Sequence, residues 1–268
     1  MGQKCFLAAL CLVFSLVSPG AAQTFVTGKN TVLIRNKAQS VYYLPAQGVS
    51  KHQKVLYFPG DGGWFGTGVT WAQMMASWGY DVYGVDTKQY LESFTSGNRT
   101  LSEADICGDY RLLAQAITSD SGERLTIVGW SQGAGMGLLG GAPAANKPYF
   151  NGVIAIGLPE TSVLGWRWKD NLTYVTGKDP DEPTFSSLEY LPQLAPLPFL
   201  MVNSTHDEYI TPAQTKTLFH SAAEPKMLRT IQANNHHFDG NTDGFYTALK
   251  DGLAWIAHLS TSTAGAQR

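Results

Sequence analysis

The sequence predicts an α/β fold with a mostly parallel sheet covered by helices on both faces. Three observations carry that expectation. From residue 54 onward, short apolar runs alternate with longer helical segments, the pattern of crossover connections. Runs such as Leu125-Thr-Ile-Val-Gly-Trp130 are apolar nearly throughout, as strands buried on both faces are. The chain has 268 residues, 44% hydrophobic and 15% charged, which suits one domain with a sizeable core.

The elements follow in order. Val32-Leu-Ile-Arg35 and Ser40-Val-Tyr-Tyr-Leu44 read as early strands, an antiparallel edge. Lys54–Phe58 is a strand, Val69–Trp78 a helix and Asp81–Val85 a strand. Ser102–Thr118 is a helix, opened by a capping box of Ser102 and Asp105. Leu125–Trp130, Val153–Gly157, Pro198–Val202 and Met227–Gln232 are further strands; Pro212–His220 and Phe245–Leu259 are helices. Ser260–Arg268 reads as a frayed tail. The stretch near 158–196, rich in Pro and aromatics, reads as a cap-like insertion after a strand's carboxyl end, where long insertions are usually functional.

The first 22 residues carry a secretory signal. Lys4 supplies the positive start and Phe6–Val17 the apolar stretch, too short to span a bilayer comfortably. Gly20-Ala-Ala22 offers small residues for cleavage before Gln23, leaving 23–268 as the mature domain. Cys5 and Cys11 depart with the signal, so only Cys107 remains, a packed thiol rather than half of a disulfide. The formal net charge of −2 and the absence of a basic stripe argue against nucleic acid as a partner.

The chemistry centres on Gly129-Trp-Ser-Gln-Gly133, where an apolar strand turns sharply into a helix of small residues. Such a turn holds Ser131 at its apex in strained backbone and presents its hydroxyl as a nucleophile. An overlapping Gly135-x-Gly137-x-x-Gly140 mimics a dinucleotide fingerprint, but it begins inside the helix, so small residues for close helix–sheet packing are the better reading.

A serine hydrolase of this architecture needs a carboxylate and then a histidine, each just past a strand. Asp207 follows the 197–203 run, with Glu208 and His206 as weaker competitors. His236 follows the last strand, with His237 as its rival. The oxyanion site pairs the N–H of Gln132 with one from the loop Phe58-Pro-Gly-Asp-Gly-Gly-Trp64, donated by Asp61 or Gly62. No metal or cofactor is expected: the histidines lack a paired helical spacing, and no Gly-Lys-Ser/Thr follows the glycine loop.

Gly60-Asp-Gly-Gly-Trp64, Gly84-Val-Asp86 with Tyr90, the elbow, and Asn235-His-His-Phe-Asp-Gly240 together resemble the VirJ/AcvB family of bacterial virulence-associated α/β hydrolases. The resemblance runs from about Lys54 to Trp255, with Gly-Asp-Gly-Gly-Trp and His-His-Phe-Asp-Gly its more specific pieces. It implies a periplasmic serine hydrolase of the α/β-hydrolase fold, with Ser131, Asp207 and His236 as the triad. Through the AcvB branch it implies hydrolysis of lysyl-phosphatidylglycerol at its aminoacyl ester, so that a membrane phospholipid is the ester substrate. The chain departs from the family after Asp86, where Thr87-Lys-Gln-Tyr-Leu-Glu-Ser93 replaces a Ser-Leu-Arg-Tyr-Phe-Trp type stretch, at Gln132, where Phe is usual, and at Gly135, where Asp is usual. A lysyl group calls for carboxylates near the site: Asp61, Asp86, Glu92 and Glu160 are available. Trp64, Trp130, Trp166 and Trp168 are aromatics for an apolar substrate surface, which favours the competing expectation of a general secreted esterase.

Overall fold

The computed structural model describes residues 23–118, 122–172 and 180–265; the expected signal at 1–22 lies outside them. An eight-stranded sheet forms the centre. Strands β1 (Gly28–Ile34) and β2 (Lys37–Leu44) make an antiparallel hairpin. Its two turn residues, Arg35 and Asn36, both take positive φ (47° and 62°), the backbone that two-residue hairpins favour because its twist matches the strands. β2 lies antiparallel to β4 (Asp81–Val85). From there every pairing is parallel, through β3 (Lys54–Phe58), β5 (Leu125–Trp130), β6 (Phe150–Ile156), β9 (Phe199–Ser204) and β10 (Lys226–Ile231). Strands β7 (Thr161–Val163) and β8 (Thr184–Ser186) form a separate two-stranded ribbon.

The strand order is β1-β2-β4-β3-β5-β6-β9-β10. The chain therefore runs outward from β3 to β4, then crosses back to β5. The reversal between β3 and β5 leaves a crevice at their carboxyl ends, where the loop after β3 and the turn after β5 meet. That is the position in which open α/β sheets bind ligands.

Both faces are covered, so β5 is buried at all six positions. Leu125 and Ile127 join one core, while Val128 and Trp130 join the other, as the two-residue period of a strand requires. Helices α3 (Glu103–Thr118) and α4 (Gln132–Gly141) cover the first face, and α1 (Thr67–Ser77) and α7 (Thr242–Gly265) the second. Phe245, Leu249, Leu253 and Ile256 form the buried stripe of α7 at helical spacing. That helix runs through to Gly265, past the expected start of a frayed tail at Ser260.

Helix α2 (Thr87–Phe94) was not expected from the sequence, since eight residues make barely two turns. Asp86 makes it, accepting the N–H of Gln89 at 3.1 Å as its N-cap. The 158–196 insertion carries β7, β8, the short helix α5 (Ser187–Tyr190) and a 3₁₀ turn at Trp168–Leu172. Helix α6 (Pro212–Ser221) follows β9, opened by a capping box of Thr211 and Gln214.

Candidate active site

The turn from β5 to α4 places Ser131 at φ 53° and ψ −121°. This is a backbone region that a residue with a Cβ occupies at a cost of about 1–3 kcal/mol. Three contacts hold it there. Ser131 N–H donates to Ile156 O on the neighbouring strand at 2.9 Å, and Ser131 O accepts Ala134 N–H at 2.8 Å. Gly133 supplies the third by what it lacks: a Cβ there would stand 2.1 Å from Phe58 O. Glycine thus lets the start of α4 close onto the end of β3. The loop after β3 comes equally close, since a Cβ on Gly60 would lie 3.5 Å from that of Ser131.

Asp207 and His236 come together. Asp207 Oδ2 lies 2.7 Å from His236 Nδ1, with the carboxylate wholly enclosed and the imidazole side chain 4% exposed. The other oxygen, Oδ1, accepts the N–H groups of Tyr209 (3.0 Å) and Ile210 (3.1 Å), so the carboxylate is fixed from both sides. A carboxylate at Nδ1 puts the imidazole proton there and leaves a lone pair on Nε2. Nε2 is buried and has no hydrogen-bond partner. The ring rests against Gly157, which directly follows the residue that holds Ser131 N–H. Trp130, the neighbour of Ser131, stacks on it at 5.7 Å and 29°. His237 instead points to the surface, with Nδ1 3.3 Å from Thr67 Oγ1.

Gln132 is the first residue of α4, so its N–H has no carbonyl one helical turn earlier to bond. Asp61 and Gly62 occupy a turn closed by Gly63 N–H on Gly60 O at 3.0 Å. Burial pushes the Asp61 carboxyl up from its ordinary range; the N–H groups of Gly62 and of Asp61 itself, with His236 and Lys88 nearby, pull it partly back. The loop therefore gathers backbone donors beside Ser131 around its own acid.

Trp130 lines the site as the wall under His236, 9% exposed. The two other expected substrate contacts are engaged elsewhere. Asp86 caps α2 behind the loop, against Gly63. Trp64 stacks on Tyr42 at 4.6 Å and 5° and meets Tyr57 edge-on, a packing role at the sheet's end. Among the described residues no three His, Cys, Asp or Glu side chains converge into a metal site.

Three supporting residues carry little sequence signal. Glu208 Oε2 accepts His236 N–H at 2.8 Å, fixing the backbone of the imidazole. The buried Thr87 hydroxyl donates to Pro59 O at 2.7 Å, tying α2 to the glycine loop. The Gln132 side chain bonds the insertion at Val163. Only the adjacency of Glu208 to Asp207, and of Thr87 to Asp86, hinted at the first two.

Similar proteins agree on the architecture. A family model described as PhoPQ-activated pathogenicity-related protein matches residues 183–256. No curated protein sequence matches the chain. Among solved structures, a soluble variant of monoglyceride lipase from Saccharomyces cerevisiae is similar at a TM-score of 0.64 and 15% identity, covering 89% of this chain and 97% of its own. An N-formylmaleamic acid deformylase from Pseudomonas putida S16 is similar at 0.60 and 18%, over 82% and 99%. An alpha-beta serine hydrolase homologue from Coxiella burnetii is similar at 0.59 and 15%, over 86% and 98%. The sheet, its flanking helices and these neighbours together show that the chain has the α/β-hydrolase fold.

Proposed function

We propose that the chain is an exported serine hydrolase that cleaves a carboxylic ester through an acyl-Ser131 intermediate. One observation carries this: a buried, carboxylate-held imidazole whose second nitrogen is unpartnered, set beside a serine in strained backbone. Asp207 holds the Nδ1–H tautomer and stabilises the imidazolium that forms. His236 Nε2 takes the Ser131 hydroxyl proton as Oγ bonds the ester carbon, and then passes that proton to the departing alcohol. The N–H of Gln132 and one from Asp61 or Gly62, turned from the Asp61 carboxyl to the substrate, receive the negative charge that develops on the carbonyl oxygen. Water repeats the sequence to free the acid and restore Ser131. A fluorophosphonate probe tests this: it should label the wild type and leave Ser131→Ala unlabelled. An unlabelled wild type would favour a non-catalytic binding protein that keeps the fold.

The finer reading is a periplasmic enzyme acting on the aminoacyl ester of lysyl-phosphatidylglycerol, with membrane phospholipid as the substrate's setting. The apolar leader and the resemblance to VirJ/AcvB support it. So does the Asp61 carboxylate, since an acid in a partly dry site attracts an ammonium more strongly than one in open water. The competing reading is a general carboxylesterase. It is favoured by Asp86 being committed to its helix cap, and by the exposed aromatics Phe65, on the glycine loop, and Tyr209, edge-on to His236. Comparing kcat/KM for lysyl-phosphatidylglycerol and p-nitrophenyl butyrate separates the two.

A further inference from the structure

The Gln132 side chain, by its position one residue past Ser131, belongs to the elbow, yet its bonds go to the insertion. It is 7% exposed. Its Nε2 donates to Val163 O at 2.8 Å, and its Oε1 accepts Val163 N–H at 3.0 Å. Both polar atoms of a buried amide are thus spent on the backbone of one residue of β7, as a neighbouring strand would do. One turn along α4 a second contact seats the same ribbon: a Cβ on Gly135 would stand 2.0 Å from Ser162 Oγ, so only glycine lets β7 lie on the helix.

The insertion is fastened at its far side too. Trp166 N–H donates to Thr95 Oγ1 at 3.1 Å, Leu101 N–H to Leu164 O at 2.9 Å, and Lys88 Nζ to Asn171 Oδ1 at 2.5 Å. Arg167 pairs with the buried Glu182 within the insertion. Residues 161–172 thus span from the elbow to the α2–α3 region as a strap, held at both ends. Among the described anchors, only the Gln132 end joins it to a residue whose N–H also faces the reacting carbonyl in the proposed mechanism.

We propose that Gln132 is a positioning residue: its amide locks the β7–β8 ribbon onto α4, and the locked ribbon is the wall that sets which acyl group reaches Ser131. The wall rests on the ester-hydrolase reading; the lock does not. A shift of the strap then moves the wall and the oxyanion donor together, because one residue carries both.

The test uses Gln132→Met, which keeps length and apolar volume and removes both hydrogen bonds. Hydrogen exchange at the Val163 amide should quicken by roughly tenfold or more, because the amide loses its buried acceptor. On p-nitrophenyl acetate and octanoate, kcat/KM should fall for both, with the ratio between the two shifting by about tenfold. Unchanged exchange at Val163 overturns the lock. Equal proportional losses on both esters overturn the wall. A wild type inactive on every ester removes the ester-hydrolase reading and the wall with it, while the exchange measurement still decides the lock. A second pair of variants guards against simple misfolding: Gly135→Ala should reproduce the quickened exchange, and adding Ser162→Gly should reverse it. Failure of that reversal would also overturn the seating of β7 on α4.

Discussion

Asp109 and Asp207 are both buried carboxylates that meet a basic side chain, and their surroundings differ in one respect. Asp109, on α3, receives Arg35 Nε at 2.9 Å and Nη2 at 2.7 Å, and the Tyr90 hydroxyl at 2.6 Å. Arg35 spends its remaining arm on Asp105 at 3.1 Å and lies over the Phe94 ring at 3.9 Å. The partners face one another and close the network, which fastens the β1–β2 hairpin to α2 and α3. Asp207 is as tightly held, but its partner His236 keeps a buried nitrogen without any bond. Leaving a polar atom unpaired out of water costs on the order of 1–3 kcal/mol; the buried Tyr57 and Tyr110 hydroxyls are unpaired too, and what sets His236 Nε2 apart is the carboxylate behind its ring and the serine elbow beside it. A buried pair whose partners close on one another fastens the fold, whereas the Asp207–His236 pair leaves one nitrogen open beside a strained serine, and it is there that the proposed chemistry sits.

The largest expected effect sits at that open nitrogen. His236→Ala should lower ester turnover by on the order of 10⁴-fold, since triad members act as a unit, while His237→Ala should cost little. Equal losses in the two purified variants would break the contrast, because His237 is exposed and meets Thr67 and the Trp130 ring rather than Asp207. At the closed network the expectation reverses. Asp109→Ala should lower unfolding free energy by about 2–3 kcal/mol, below the usual cost of breaking a buried pair because Arg35 keeps a third of its side chain in water. Turnover per folded molecule should be preserved; denaturant unfolding alongside active-site titration would show otherwise.

The smallest effect concerns Asp61. Burial raises its carboxyl pKa in the folded chain, so the folded state holds the proton longer than the unfolded state does. Stability contributed by this group is then greatest at low pH and falls as pH rises from its ordinary 3.8 through the raised value. Asp61→Asn should therefore melt higher than the wild type at pH 7, with the gap closing below pH 3.8. A variant that melts lower at pH 7 would mean that the N–H bonds of Asp61 and Gly62 outweigh the cost of burial.

Much of the fold was legible in the chain because its signals are local. An apolar run at two-residue spacing, a turn bounded by Gly129 and Gly133, and a capping pair at Ser102 and Asp105 each need only neighbouring residues. The order Ser131, Asp207, His236 along alternating strands and helices was legible for the same reason. Helix α2 was missed because it is short and rests on one cap.

What only the tertiary structure decided are partnerships across distance. His236 rather than His237 faces Asp207 because Phe238, at φ 63° and fully buried, plugs into the core against Trp71 and Phe245, turning the loop so that His236 points inward with it. Glu208 then fixes the backbone from 28 residues away. Asp86 became a cap rather than a substrate contact because α2 begins beside it, and Trp64 became packing because Tyr42 lies parallel beneath it. Gln132 reaches 31 residues ahead to Val163, a bond that no spacing rule encodes. A local pattern states which groups a segment offers. Whether a carboxylate, an indole or an amide is spent on the protein or left for a substrate depends on what the fold brings against it.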